Sequence, residues 1–233
     1  QISIDYSQIE LRVAAILSDD PYLTNVFKKG EDVHSAVAAK VFNVPENKIT
    51  PEMRRRAKVI NFGIVYGMGV SALKENLGST RTEAQEFYDN YMKEFKRVAE
   101  YLEEVKTFAR KNGYTETLFG RRRQFSGIKS NIPYIRAMAE RVATNAPFQG
   151  TAADIIKIAI KLADEDLKSS GLENKAHLLL QIHDELIYEV EENVVKQAEK
   201  IIRSAMEGVL ERSFLKKESV IPLSVDFASG DNW

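Results

Sequence analysis

Cysteine is absent from all 233 residues, so the chain has neither disulfides nor thiolate metal sites, which fits a reducing compartment. No apolar run is long enough to span a bilayer, and no signal peptide precedes the first strand-like segment. Charge of one sign is not in excess either. With 33 basic and 34 acidic residues the net charge is -1, and the total gives no hint of a polyanionic partner. Internal repeats and low-complexity linkers are lacking. The chain opens at Gln1, without a methionine and directly in strand-like sequence, as expected of a fragment whose upstream part is missing. At 44% hydrophobic composition it can bury a real core, and a soluble globular protein of one large or two small domains is expected.

The charges are unevenly placed. Arg54, Arg55, Arg56 and Lys58 form one basic cluster, and Arg110, Lys111, Arg121, Arg122 and Arg123 form another. From His183 to Glu211, by contrast, eight acidic residues face three basic ones. Basic and acidic zones kept apart suit an enzyme that grips phosphates in one place and metal cations in another.

The stretch Thr50 to Gly67, TPEMRRRAKVINFGIVYG, predicts a helix with Thr50 as N-cap and Pro51 as first helical residue. At about 100° per residue, Arg54, Lys58, Phe62 and Tyr66 fall on one stripe roughly 18 Å long. A phosphate chain would find Arg54 and Lys58, and a base or sugar would find Phe62. A solvated basic turn followed by core aromatics explains the same pattern.

Ile2 to Tyr6 alternates as a strand and passes into a helical pattern from Ser7, which places Asp5 at a strand's end, as a metal ligand or as ordinary capping chemistry. Asp20 and Asp32 begin two further helices, the second carrying His34, a packing residue unless its helix stands beside the Arg54 stripe. Two amphipathic helices follow between Thr80 and Gly113, the first opened by a Thr80–Glu83 capping box. Tyr114 to Phe125 reads as a hairpin turning near Gly120, with three arginines on its return strand facing either a nucleic-acid backbone or solvent. Beyond Pro133 a helix carries Arg141 and Asn145, breaks at Pro147 next to Gln149, and restarts at Gly150 and Thr151. Long polar side chains on an otherwise Ala, Met and Val helix suit sugar and base-edge contacts. Ala176 to Ile182 and Glu185 to Val190 form a tight hairpin whose apolar strands should hold Asp184 and Glu185 against a sheet rather than in open solvent. A helix from Asn193 to Phe214 and a strand from Leu223 to Ala228 complete the chain.

Three segments, DYSQIELR at Asp5 to Arg12, RRRAKVINFGIVYG at Arg54 to Gly67 and QIHDE at Gln181 to Glu185, together resemble motifs A, B and C of the family A DNA polymerases. LFGRRR at Leu118 to Arg123, NAPFQGTAADI at Asn145 to Ile155 and the closing Gly230 to Trp233 extend the likeness over nearly the whole chain. It implies an α+β fold, a right-hand polymerase palm (antiparallel sheet with packed helices) at 1–31 and 130–233, carrying a mainly helical fingers subdomain at 32–129, with the thumb absent.

The resemblance further implies a nucleotidyltransferase of DNA replication and repair that extends a primer from dNTPs. Asp5 and Asp184 would bind two Mg2+ ions with the Tyr6 carbonyl, and Glu185 and His183 would face the primer end. Arg54, Lys58 and His34 would hold the triphosphate, Phe62 the sugar and base, and Tyr66 the template position. Gln8 would also belong to the nucleotide site, and Glu10 would guard the sugar's 2' position, although Ser7 and Glu10 also have the spacing of a capping box. Arg121, Arg141, Asn145 and Gln149 would face DNA. Primer-template DNA and dNTPs are the implied partners, with a monomeric full-length protein in the cytoplasm, associated with the nucleoid, and no membrane. Phosphoryl transfer needs in-line attack with charge neutralised by metals about 4 Å apart, and Asp5 and Asp184, 179 positions apart, meet only through a fold. A two-metal nuclease, a single-subunit RNA polymerase and a non-catalytic nucleic-acid-binding module remain the alternatives. Glu10 argues against the second, and the acidic hairpin is unexplained by the third.

Overall fold

The structure, a computed structural model, describes residues 1–232. Trp233 of the closing stretch lies outside the described residues. The fold is mixed, with an antiparallel four-stranded sheet backed by helices and a helical region inserted between the sheet's first strand and the rest. Strand β1 (Ile2–Tyr6) alternates buried Ile2, Ile4 and Tyr6 with Ser3 and Asp5, so one face joins the core and the other carries polar groups.

Helix α1 (Ile9–Ser18) follows, capped by Gln8 in the left-handed region at φ 56° with no side-chain cap bond. The Ser7–Glu10 capping box is therefore not formed, and the Ser7 amide donates to the Ser224 carbonyl at 2.9 Å. Aspartates do open the next two helices. Asp20 accepts from the amides of Tyr22 and Leu23 at the head of α2 (Pro21–Lys29), and Asp32 accepts from the His34 amide at the head of α3 (Val33–Phe42). Thr50 accepts from the Met53 amide to start α4 (Pro51–Val65), with Pro51 at its first position.

Short α5 (Val70–Leu77) leads to α6 (Arg81–Glu94), where both bonds of the Thr80–Glu83 capping box are present. Helix α7 (Lys96–Asn112) packs Val98, Leu102, Val105 and Ala109 inward. The hairpin of β2 (Tyr114–Glu116) and β3 (Arg122–Gln124) turns at Gly120, with Arg121 in the turn rather than on the strand.

Helix α8 runs unbroken from Pro133 to Ser169, 37 residues through Pro147, so the expected break and restart do not occur. Proline removes one amide donor from the helix interior, but Ala143, Ala146, Phe148 and Thr151 around it are all buried, and tertiary packing holds the axis. In the sheet, order β4-β5-β1-β6, β5 (Glu185–Val190) buries Leu186, Ile187 and Tyr188. Strand β4 (Ala176–Ile182) is instead an exposed edge with a register shift between Leu178 and Leu180, and Leu178, Leu179 and Leu180 face out. Its apolar sequence does not mark a buried strand. Helix α9 (Val195–Glu207) is shorter than expected at both ends, preceded by a 3-10 turn, and covers the sheet with Ala198, Ile202, Ala205 and Met206. The last strand, β6 (Val225–Ser229), pairs with β1.

Candidate functional site

Antiparallel pairing sets Asp5 directly opposite Glu185 on one side and Asp226 on the other, so three adjacent strands carry carboxylates in one row. The Tyr6 amide donates to the Asp184 carbonyl at 3.3 Å, which ties the end of β1 to the turn between β4 and β5. That turn is sharp: His183 adopts φ 54°, and its carbonyl accepts from the Gln181 side chain at 3.1 Å. Asp5, Tyr6, Asp184 and Asp226 line a cavity of about 760 Å³, as do His183 and Gln181. Desolvation raises the Asp5 pKa to about 6, with repulsion from Asp184, Glu185 and Asp226 adding to it. Glu185 is not among the lining residues, and its carboxylate accepts from the Ser3 hydroxyl.

The helical region supplies other residues of the same cavity. All four residues of the α4 stripe, Arg54, Lys58, Phe62 and Tyr66, line it, together with Gln8, Glu10, His34 and Gln149. Phe62 and Tyr66 stack with ring centres 6.5 Å apart, and the His34 ring stands 5.7 Å from Phe62. Arg54 donates to both Asp32 oxygens, at 2.6 and 3.3 Å. Burial would raise the Asp32 carboxyl, but hydrogen bonds from Arg54, Ser35 and the His34 amide outweigh it and hold the pKa at about 2. Arg55 and Arg56 pair with Glu52, which leaves Lys58 the cation of this helix without a carboxylate partner among the described residues. His34 is buried against α4, and burial pushes its pKa down to about 4; Asp32 opposes the shift, while Arg54 and Lys58 reinforce it. The Glu10 carboxyl, raised by burial, lies within reach of the Tyr66 hydroxyl.

Acidic and basic groups thus face one space from opposite elements of the fold. No three His, Asp or Glu side chains close round a common point among the described residues. A dication would therefore take Asp5 and Asp184 with backbone, water and substrate oxygens, the pattern usual for Mg2+. The residues fit such an ion, because the Asp5 carboxyl, raised first by burial, is raised further by like charges that a cation would offset.

The remaining predicted contacts are spread along α8 and the hairpin. Arg121 donates to Asp154 at 2.7 Å and to the Gly150 carbonyl at 3.0 Å, beside Gln149 in a smaller cavity of about 220 Å³. Arg122 pairs with Glu116 and lies over the Tyr114 ring, and Arg123 lies over the Phe125 ring, so all three hairpin arginines are engaged within the chain. Arg141 lines a separate cavity of about 650 Å³ with Gly67, Met68, Tyr134 and Met138. The Asn145 side-chain oxygen is buried without a partner.

A family model described as DNA polymerase family A matches residues 1–233. The chain belongs to this family. It is 44% identical over 232 residues to a DNA polymerase I of Rhizobium leguminosarum, covering 100% of this chain and 22% of that protein. Against a DNA polymerase I of Bacillus subtilis the identity is 45% over 229 residues, covering 98% and 25%. The chain therefore spans about a quarter of the length of the curated relatives it matches. Its fold superposes on the solved POL domain of Pol1 from M. smegmatis, in complex with DNA primer-template and dNTP, with a TM-score of 0.89 and 41% identity, covering 98% of this chain and 39% of that one.

Within this family A chain, sequence reasoning passed over Asp226, Lys157, Gln181 and Asn61. Asp226 had a visible signal, a carboxylate inside the short strand VDFAS. Lys157 and Gln181 line the 760 Å³ cavity; Lys157 sits in a pattern that reads as plain helix, and Gln181 opens the QIHDE segment, where the resemblance assigns it no role of its own.

Proposed function

We propose that the chain is the catalytic part of a DNA-directed DNA polymerase, adding deoxynucleoside monophosphates from dNTPs to a primer 3'-OH along a template. The observation that carries this reading is one cavity lined both by the carboxylates Asp5 and Asp184 and by the stripe Arg54, Lys58, Phe62 and Tyr66. In it, residues 1–31 and 130–233 act as palm and 32–129 as fingers. Asp5, Asp184 and the Tyr6 carbonyl would hold two Mg2+ ions, which when bound supply the charge neutralisation that phosphoryl transfer needs. Arg54 and Lys58 grip the triphosphate, and Arg54 exchanges Asp32 for phosphate oxygens as it does so. Phe62 packs on the sugar and base, while Tyr66 with Glu10 shapes the pocket around the sugar. Arg141, Asn145, Gln149 and Arg121 face duplex DNA, and His183 and Glu185 lie by the primer end. The full-length protein works as a monomer in the cytoplasm, at the nucleoid. A nuclease would use the carboxylates and leave the stripe without a role.

The test is Mg2+-dependent, template-directed incorporation by the polymerase carrying this chain at its full natural length, with Asp184→Asn as control. Asn keeps the shape and removes the charge, so incorporation should vanish while primer-template binding persists. Retained turnover in that variant would sink the assignment.

A further inference from the structure

Asn61 and His34 form a buried polar pair, and with the amide nitrogen turned toward the ring only one arrangement of protons works. Asn61 is 1% exposed and His34 3%, and the Asn61 Nδ2 lies 3.1 Å from the His34 Nδ1. An amide NH2 can only donate, so Nδ1 must accept, and the ring of a neutral histidine then carries its proton on Nε2. Helix α4 thus fixes the proton of a ring on α3. The same ring lines the cavity that holds Arg54, Lys58 and Phe62.

We infer that Asn61 is a positioning residue, which holds His34 in its Nε2–H form so that a neutral imidazole offers a hydrogen-bond donor to the phosphate chain of an incoming nucleotide. The inference rests on the nucleotide site proposed above. The alternative tautomer would turn a lone pair toward phosphate oxygens, where acceptor meets acceptor. The imidazolium form, which would also donate, is disfavoured here by burial and by the nearby Arg54 and Lys58, with only Asp32 acting the other way. A neutral donor adds a contact without a third positive charge. Placing Asn61 immediately before Phe62 lets one turn of α4 present the aromatic face and orient the histidine beside it.

Two measurements test it. The first is the nitrogen spectrum of 15N-histidine-labelled polymerase at its full length near neutral pH, with the His34 resonances assigned through His34→Gln. It should show a protonated Nε2 and a bare Nδ1, and an Nδ1–H ring overturns the proposal without Asn61 being changed at all. The second is Asn61→Leu, which removes the donor at similar volume. It should let the Nδ1–H form appear and raise KM for dNTP about fivefold or more while kcat changes by less than about twofold. A purely structural Asn61 would lower the melting temperature and leave the tautomer alone. His34→Ala separates the failures. If it leaves KM unchanged, His34 does not meet the nucleotide and the proposal falls with that premise. If it raises KM while Asn61→Leu shifts the tautomer without effect on KM, only the role of Asn61 is overturned. If the unmodified enzyme incorporates no nucleotide at all, the polymerase reading itself has failed.

Discussion

Gly67 and Arg141 meet where the chain leaving α4 passes α8: a Cβ on Gly67 would stand 3.0 Å from the Arg141 Cγ and 3.1 Å from its carbonyl oxygen. Gly67 also adopts φ +66°, where an L side chain costs roughly 1 to 2 kcal/mol. Gly67→Ala should therefore destabilise the fold by about 2 kcal/mol or more, because the oxygen it crowds belongs to a backbone that cannot swing away. Asn tolerates positive φ, so Gly67→Asn tests which term dominates. If crowding does, both variants lose comparable melting temperature, and full recovery in Asn would show that φ alone matters.

What could be read from the sequence was what neighbouring residues decide among themselves. The caps at Thr50 and Asp20 and the Thr80–Glu83 box depend on side chains reaching amides two or three residues on, and they are present. The α4 stripe was legible for the same reason, since helical period alone puts Arg54, Lys58, Phe62 and Tyr66 on one side. Long-range decisions were not legible. Whether Pro147 breaks α8 is settled by the packing around it, and whether β4 is buried is settled by its place at the sheet edge. The register that sets Asp226 beside Asp5, and the helix contact that sets Asn61 on His34, join residues 221 and 27 positions apart. No window of the sequence holds both partners of the first pair.

Lys58 has no carboxylate partner among the described residues, whereas Arg54 is held by Asp32. Lys58→Ala should thus cost little stability and weaken dNTP binding by about 1.5 to 3 kcal/mol, the worth of a charge-assisted hydrogen bond. Binding of primer-template alone should change little. Titrating dNTP into the enzyme–DNA complex measures the first quantity and DNA titration the second. Equal losses in both would mean that Lys58 meets DNA rather than triphosphate.

The depressed His34 pKa carries a pH signature of stability. The unfolded chain binds this proton near the ordinary 6.5 and the folded one only near 4, so between those values the unfolded state holds more proton. Stability from this group is complete above about pH 6.5 and drains away as pH falls toward 4. Burial is the main cause, Asp32 opposes it, and Arg54 and Lys58 add to it. After allowance for water in the adjoining cavity the difference is about 1 to 2 kcal/mol. His34→Gln should lose less stability than the parent between pH 6.5 and 4, measured by urea unfolding at several pH values. Parallel profiles would show that His34 does not resist protonation.

Glu10 offers the sharpest test of the site, because the structure removes its competing role. A capping box would need the Glu10 side chain to satisfy the Ser7 amide, yet that amide donates to the Ser224 carbonyl, and the cap of α1 is Gln8 without a side-chain bond. The Glu10 carboxyl instead lies within reach of the Tyr66 hydroxyl, in the cavity that holds Asp5 and Asp184. On the nucleotide site proposed above, phosphates by Asp5 would place the sugar near the first turn of α1, where a carboxylate held by Tyr66 would leave no room for a 2'-hydroxyl. Glu10→Ala should change stability by no more than about 0.5 kcal/mol, since no cap is lost. The efficiency of ribonucleotide relative to deoxynucleotide incorporation should rise on the order of 10- to 100-fold, equivalent to about 1.4 to 2.8 kcal/mol of lost discrimination. Glu10→Gln separates shape from charge: it fills the same volume, so a steric gate keeps most of its selectivity while an electrostatic one does not. Tyr66→Phe frees the carboxylate to swing aside and should fall between the parent and Glu10→Ala. The measurement is the ratio of kcat/KM for a matched ribo- and deoxynucleotide in each of the four enzymes. An unchanged ratio in Glu10→Ala means that Glu10 does not touch the sugar.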